Sequence, residues 1–100
     1  MEFVYEQKLQ NYMLQKGKKN IVVEEITSNN SDFEITELHI HLIDDRQAEF
    51  FKTKKSYYAK NTEMGQVLLP PFQLKYDDVI TFGLKSFLGI KYVTCKGIQK

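Results

Sequence analysis

The two histidines of the chain, His39 and His41, are two residues apart, and Glu37 precedes them at the same spacing. Leucine and isoleucine alternate with these three residues, so we predict a strand with one dry face and one wet face. Neighbouring members of the set would lie about 6.5–7 Å apart along that strand. Imidazole nitrogens and a carboxylate oxygen are ligands that Zn²⁺ accepts. The pattern predicts an ordinary solvated strand face, and the alternative is a metal-binding face, for which a closed site needs another ligand.

A second pattern that could do chemistry is the stretch 50–60, which interleaves four lysines with four aromatic residues. Lysines neutralise phosphates, and aromatic faces stack nucleobases for about 1–3 kcal/mol each. The stretch is therefore a candidate surface for single-stranded nucleic acid, RNA in particular, or for a protein partner. The residues assigned to it are Lys52, Lys54, Lys55, Tyr57 and Tyr58. The alternative is the wet face of an amphipathic helix that buries Phe51 and Tyr58.

Groups that could catalyse a reaction do not form a recognisable set. Cys95 shares a strand face with Val93, and we expect that face to be buried and the thiol to be inert. No serine stands in a Gly-x-Ser-x-Gly motif, and the five glycines are too scattered for a phosphate-binding loop. Adjacent carboxylates such as Glu24 and Glu25 point to opposite faces of a strand, so they cannot act as a pair. We expect no enzymatic activity and no cofactor.

Composition sets the class of protein that must position these residues. The chain has 100 residues, of which 42% are apolar and 13% aromatic, which suits one compact domain over 1–100 and excludes a disordered chain. Fourteen basic residues against 13 acidic ones leave a formal charge of +1, which excludes a generally polybasic protein. One cysteine excludes an intramolecular disulfide and a cysteine-based metal cluster.

Periodicity predicts the secondary structure of the first half. Residues 2–16 have apolar side chains at helical spacing, and Gly17 suits the left-handed position that ends a helix. Residues 21–27 and 33–43 read as two strands joined by turn formers at 28–32, which predicts a hairpin.

Residues 45–60 are ambiguous. Asp44 with Gln47 resembles a capping box, which favours a helix, whereas the aromatic pairs favour two short strands.

The second half predicts shorter elements. We expect a strand at 66–69, at a sheet edge or in a connection because two prolines follow it. We expect a turn at 76–78, and strands at 79–84 and 90–95 that form a final hairpin. The elements sum to an α+β fold. It has an N-terminal helix, with a second helix over 45–60 as an alternative, packed on a mainly antiparallel sheet of four to five strands built from hairpins.

Charge is segregated along the sequence. Residues 20–45 contain seven acidic residues and no lysine or arginine, whereas residues 46–60 contain five basic residues and one acidic residue. We expect the two segments to lie side by side, with each exposed ion pair contributing about 0–1 kcal/mol. The alternative is that each segment faces a partner, or that the two segments meet across a dimer.

The N-terminus has no basic region followed by an apolar stretch, and no apolar run approaches the roughly 20 residues of a membrane span. We therefore expect a cytoplasmic protein without a membrane partner.

The function that we predict is a non-enzymatic binding or interaction module that acts through its surface. Its partner would be another protein or a second copy of itself in a homodimer. Binding of nucleic acid by 50–60 and of a metal ion by His39 and His41 are the alternatives.

Overall fold

A computed structural model describes residues 1–29 and 34–100, which form two helices and seven strands. In chain order these are β1 (Glu2–Tyr5), α1 (Gln7–Lys16), β2 (Asn20–Asn29), β3 (Glu34–Ile43), α2 (Asp45–Lys54), β4 (Tyr58–Asn61), β5 (Gln66–Leu69), β6 (Lys75–Phe87) and β7 (Ile90–Gln99). The α+β class and the mainly antiparallel pairing are confirmed. The described strands form two sheets, of three and four strands, where the sequence predicted one sheet of four or five.

The first sheet has the order β1-β6-β7, in which β1 is parallel to β6 and β7 is antiparallel to it. The second sheet has the order β3-β2-β5-β4. Its predicted hairpin is confirmed, because β2 and β3 pair antiparallel from Asn20 opposite Ile43 to Asn29 opposite Glu34. Part of the predicted turn at 28–32 belongs to β2, and residues 30–33 lie outside the described part of the chain.

The main core lies between the inner faces of the two sheets, with one face of α1 packed into it. Strand alternation sends Ile21 and Val23 of β2 towards Ile80 and Phe82 of β6, and these four side chains are fully buried. A second, smaller core forms on the other face of β2, where Val22 packs under α2. Because β2 is covered on both faces, its start is continuously apolar.

The N-terminal helix is shorter than predicted. Residues 2–5 form strand β1, and the helix begins at Gln7. Tyr5, which falls within the predicted helix, is instead buried in the sheet, with its ring 5.7 Å from that of Phe82. The backbone N–H of Glu6 also donates to the carbonyl of Phe82, so pairing with a distant strand overrides the local periodicity. The left-handed conformation of Gly17 at the helix end is confirmed, with φ at 67°.

The ambiguous segment 45–60 contains both of the predicted alternatives. The capping box is confirmed: the Gln47 N–H donates to Asp44 Oδ1 over 2.7 Å, and the Asp44 N–H donates to Gln47 Oε1 over 3.1 Å. The helix that it starts ends at Lys54, however, and β4 begins at Tyr58. The alternative in which Tyr58 lies buried under a helix was therefore wrong, and within this segment the buried tyrosine is Tyr57.

Two predictions in the second half were also wrong. Strand β5 lies in the interior of its sheet between β2 and β4. The prolines do not prevent this, because they follow the last residue of the strand and remove no donor from its ladder. Residues 76–78 belong to β6 instead of a turn, although the pairing with β7 shifts register between Tyr76 and Thr81. The final hairpin is confirmed, with its turn at Leu88 and Gly89.

Candidate functional site

The histidine face lies on the outer side of β3, beside α2. The alternating leucine and isoleucine residues of β3 pack on the main core, as predicted, so the imidazoles point away from it. His39 Nε2 lies 3.0 Å from Glu37 Oε2, and His41 Nε2 lies 3.9 Å from Glu24 Oε1. The two ring centroids are 6.1 Å apart. Each imidazole therefore faces a carboxylate of its own.

This arrangement is a pair of histidine–carboxylate contacts on a half-exposed surface. Over residues 1–29 and 34–100, no group of three histidine, cysteine, aspartate or glutamate side chains is placed to hold a metal ion. The metal role of Glu37, His39 and His41 stays a prediction.

The stretch 50–60 is divided between the interior and the surface. Tyr57 is 8% exposed, and its ring lies 4.9 Å from that of Phe51. Burial raises the pKa of the Tyr57 phenol, and a hydrogen bond with the backbone of Glu25 acts in the opposite direction. A ring packed in this way offers little surface for a nucleobase, and the binding role assigned to Tyr57 stays a prediction. Tyr58 is exposed.

The lysines of this stretch differ in what they contact. Lys52 Nζ lies 3.4 Å from Glu49 Oε2 and donates to Gln66 Oε1 over 3.3 Å. Lys55 Nζ lies 3.6 Å from Glu24 Oε2, which joins the basic segment to the acidic hairpin as the charge pattern predicted. Lys54 is exposed at the end of α2. The five assigned residues therefore do not form one continuous cationic and aromatic surface.

Cys95 is half-buried on β7. Desolvation by the surrounding side chains raises the pKa of its thiol to about 11. The thiol is therefore protonated at neutral pH, and a protonated thiol is a poor nucleophile. This agrees with the packing role predicted for Cys95.

The sequence analysis missed the end of the β6–β7 hairpin, Phe87-Leu88-Gly89-Ile90, which we name the hairpin tip. Its three large side chains are extensively exposed: Phe87 by 67%, Leu88 by 86% and Ile90 by 70%. Among the large apolar side chains of the described residues, Leu88 is the most exposed. Clustered exposed apolar side chains of this kind are typical of interaction sites.

The turn at the hairpin tip is conformationally unfavourable as well. Leu88 and Gly89 both have positive φ, 51° and 80°, as in the two-residue type I′ turn that favours Asn-Gly. A residue with a Cβ atom pays about 1–2 kcal/mol in the left-handed helical region. Leu88 thus combines an exposed apolar side chain with a strained backbone, and neither feature helps the chain to fold.

A basic groove of about 530 Å³ lies between α1 and the base of the hairpin tip. We define it by Lys8 and Tyr12 of α1 and by Lys85 and Lys91 of the hairpin. None of the described side chains that line it is acidic. Lys16 and Lys91 hold their ammonium groups 5.6 and 5.4 Å from the centroid of the Tyr12 ring, so positive charge is concentrated there.

A sequence signal for this surface exists. Residues 7–19 and residues 79–100 each contain four lysines and no acidic residue. These two acid-free segments are far apart in the chain, and the fold brings them together at the basic groove.

Searches of protein-family models, of curated proteins and of solved structures find no match to this chain. Among the described residues, no helix has the length and apolar character needed to cross a membrane. The geometry of the hairpin tip and basic groove therefore carries the functional argument.

Proposed function

We propose that this protein is a non-catalytic binding module and that the hairpin tip, with the basic groove behind it, is its binding surface. The observation that carries the proposal is Leu88. This residue is both the most exposed large apolar side chain of the described chain and one of its left-handed non-glycine residues. Backbone strain and apolar exposure at one position are typical of a residue kept for an interaction.

The reactive side chains support a non-catalytic role because they have structural contacts. Cys95 has a raised thiol pKa. Asp44 caps α2, and Asp45 accepts a hydrogen bond from the Asn20 side-chain amide over 2.8 Å. Glu24 faces Lys55. These contacts give Asp44, Asp45 and Glu24 structural roles, which supports the proposal of a non-catalytic module.

The charge around the hairpin tip favours an anionic partner over a second copy of the chain. A twofold contact places the same surface of both subunits face to face. If two hairpin tips met in this way, Lys85 and Lys91 of one copy would approach the same lysines of the other, and like charges repel. A homodimer, if one forms, would therefore use another surface.

Site-specific photo-crosslinking tests the proposal in the cells that make the protein. A photoreactive benzoylphenylalanine replaces Leu88 in one variant and Phe72 in a matched control, since Phe72 is also an exposed apolar residue. Phe72 precedes β6, so the 13 residues of that strand separate it from the hairpin tip at the other end. We expect ultraviolet light to produce adducts from position 88 and none from position 72. Absence of adducts at 88, or equal adducts at both positions, would overturn the proposal.

A further inference from the structure

We infer that the partner of the hairpin tip is the surface of a lipid bilayer that contains anionic lipids. The tip would enter the boundary between headgroups and acyl chains, and the lysines behind it would contact lipid phosphates. This inference rests on the proposed function, since it names the ligand of the same surface.

The order of side chains along the hairpin matches the layers of a membrane surface. Phe87 and Ile90 are a directly opposed pair, and Leu88 lies beyond them at the apex. Behind them, Ser86 pairs with Lys91 and Lys85 pairs with Tyr92. At about 3.4 Å per residue, the lysines lie about 3–7 Å behind the last apolar pair. Helices that lie in the membrane interface bury their apolar faces by about 5–10 Å, which is a similar depth.

Tyr92 adds an interfacial side chain at the level of the lysines. It is 46% exposed and lies opposite Lys85 in the hairpin. Tyrosine is enriched where membranes meet water, because its ring is apolar and its hydroxyl is polar. The hairpin thus changes from apolar at its apex to aromatic and cationic two residues behind.

The charge behind the hairpin tip complements anionic headgroups. Lys85 and Lys91 belong to the hairpin, and Lys8 lines the same groove from α1, with no acidic side chain among its described lining. Each lysine near an anionic membrane strengthens binding by about fivefold. Lys85 and Lys91 leave opposite faces of the hairpin, so cations flank the tip on both faces. Together with Lys8 they supply attraction that the overall charge of +1 does not reveal.

The chemistry of the apex favours lipid over nucleic acid. Phe87 supplies one ring on which a base could stack, but Leu88 at the apex and Ile90 are aliphatic and have no π face. Aliphatic side chains partition readily into hydrocarbon. Because no segment can span a bilayer, the sequence predicts no membrane partner. Attachment to the surface requires only an exposed apolar group and nearby cations, so the inference departs from that expectation.

Vesicle flotation of the full chain tests the inference directly. The probes are vesicles of phosphatidylcholine alone and vesicles that also contain phosphatidylglycerol. We expect the protein to float with the anionic vesicles and to remain largely free with the neutral ones. Binding should fall as salt rises from 0.1 M to 1 M, because the screening length shrinks from about 10 to about 3 Å. Equal binding to both vesicles, or to neither, would overturn the inference.

Two pairs of variants assign the binding to this surface. Leu88→Asn should weaken binding by about tenfold or more, because a buried leucine side chain contributes that much or more. Phe72→Asn should leave binding unchanged. Reversing charge with Lys85→Glu and Lys91→Glu together should abolish the preference for anionic vesicles, whereas Lys75→Glu at the other end of β6 should not. Asparagine suits the left-handed turn, so circular dichroism should show Leu88→Asn folded. Unaltered binding by Leu88→Asn would overturn the inference.

Fluorescence supplies a second readout because the chain contains no tryptophan. Phe87→Trp places a single tryptophan on the hairpin tip, and Phe72→Trp places one far from it. Anionic vesicles should shift the emission of the first variant to shorter wavelength and leave the second unchanged. No shift for Phe87→Trp would show that the tip stays in water, which overturns the inference.

A parallel experiment separates failure of this inference from failure of the proposed function. If vesicles do not bind but position 88 still gives adducts with a protein or a nucleic acid, the lipid inference is wrong and the binding module stands. If a labelled single-stranded oligonucleotide binds in place of vesicles and Leu88→Asn weakens it, the ligand is a nucleic acid. If vesicles fail and position 88 gives no adduct, both proposals are wrong.

Discussion

Replacing Leu88 by asparagine should make the protein more stable. The residue occupies the first central position of a two-residue hairpin turn with φ at 51°, a conformation that asparagine tolerates better than leucine. Its side chain is 86% exposed, so the replacement removes very little buried apolar area. The change therefore relieves backbone strain without a matching loss of packing.

The expected size of the effect follows from these two observations. Leucine in the left-handed helical region costs about 1–2 kcal/mol, and we expect asparagine to recover about half of this, or 0.5–1 kcal/mol. For a domain of this size, each kcal/mol moves the melting temperature by about 4–8 °C. The melting temperature should therefore rise by about 2–8 °C.

Thermal unfolding followed by circular dichroism measures this change, and urea titration gives the corresponding free energy of unfolding. Leu88→Ile is a matched control of the same volume, since a β-branched residue fits a positive φ poorly and should lower the melting temperature. Ser56→Asn is a second control. Ser56 has φ at 58° outside the hairpin, so this variant should gain stability without any effect on binding.

A fall in melting temperature for Leu88→Asn would refute the reasoning. Such a result would mean that Leu88 makes contacts that stabilise the fold, and its exposure would then carry no argument for a binding surface. A rise in stability combined with loss of vesicle binding would show a residue kept at a cost to stability, which is the usual sign of function.

Three further outcomes follow from the core, the helix cap and the thiol. Asp44→Ala should lower the free energy of unfolding by about 1 kcal/mol in urea titration, because the Gln47 N–H loses its acceptor. Phe82→Ala should cost about 3–5 kcal/mol in the same assay, since this ring is fully buried in the main core. Cys95 ionises first in the unfolded chain, because burial raises its folded pKa from 9.0 to about 11. Its contribution to stability should therefore be present below pH 9 and be lost between about pH 9 and 11, and Cys95→Ala should show a shallower decline over that range.

Several elements could be predicted because their cause is local. The capping box needs only Asp44 and Gln47, three residues apart. The end of α1 needs one glycine that tolerates positive φ. The β2–β3 hairpin follows from alternation within each strand. In each case the side chains that decide the structure lie within a few positions of one another.

Other elements could not be predicted because their cause lies far along the chain. Residues 2–5 become a strand since β6 offers backbone partners about 77 positions later, with Glu2 opposite Val79. Strand β5 is interior because β2 pairs with it in parallel through Ile21 and Val22. The choice of Tyr57 over Tyr58 for burial depends on where α2 ends and how it lies on the second sheet. Hydrophobic burial and sheet pairing are decided by such distant partners.

The amino-acid sequence by itself determined which side chains are present: four lysines in each of the acid-free segments 7–19 and 79–100, and an apolar Phe-Leu-Gly-Ile segment with Lys85 before it and Lys91 after it. Only the tertiary structure decided that this segment is the exposed end of a hairpin and that α1 brings Lys8 and Tyr12 to its base. The reason is physical. Each residue type fixes the charge and hydrophobicity of its own side chain. Which side chains are exposed, and which charged groups lie close together, depends on which distant strands and helices pack together.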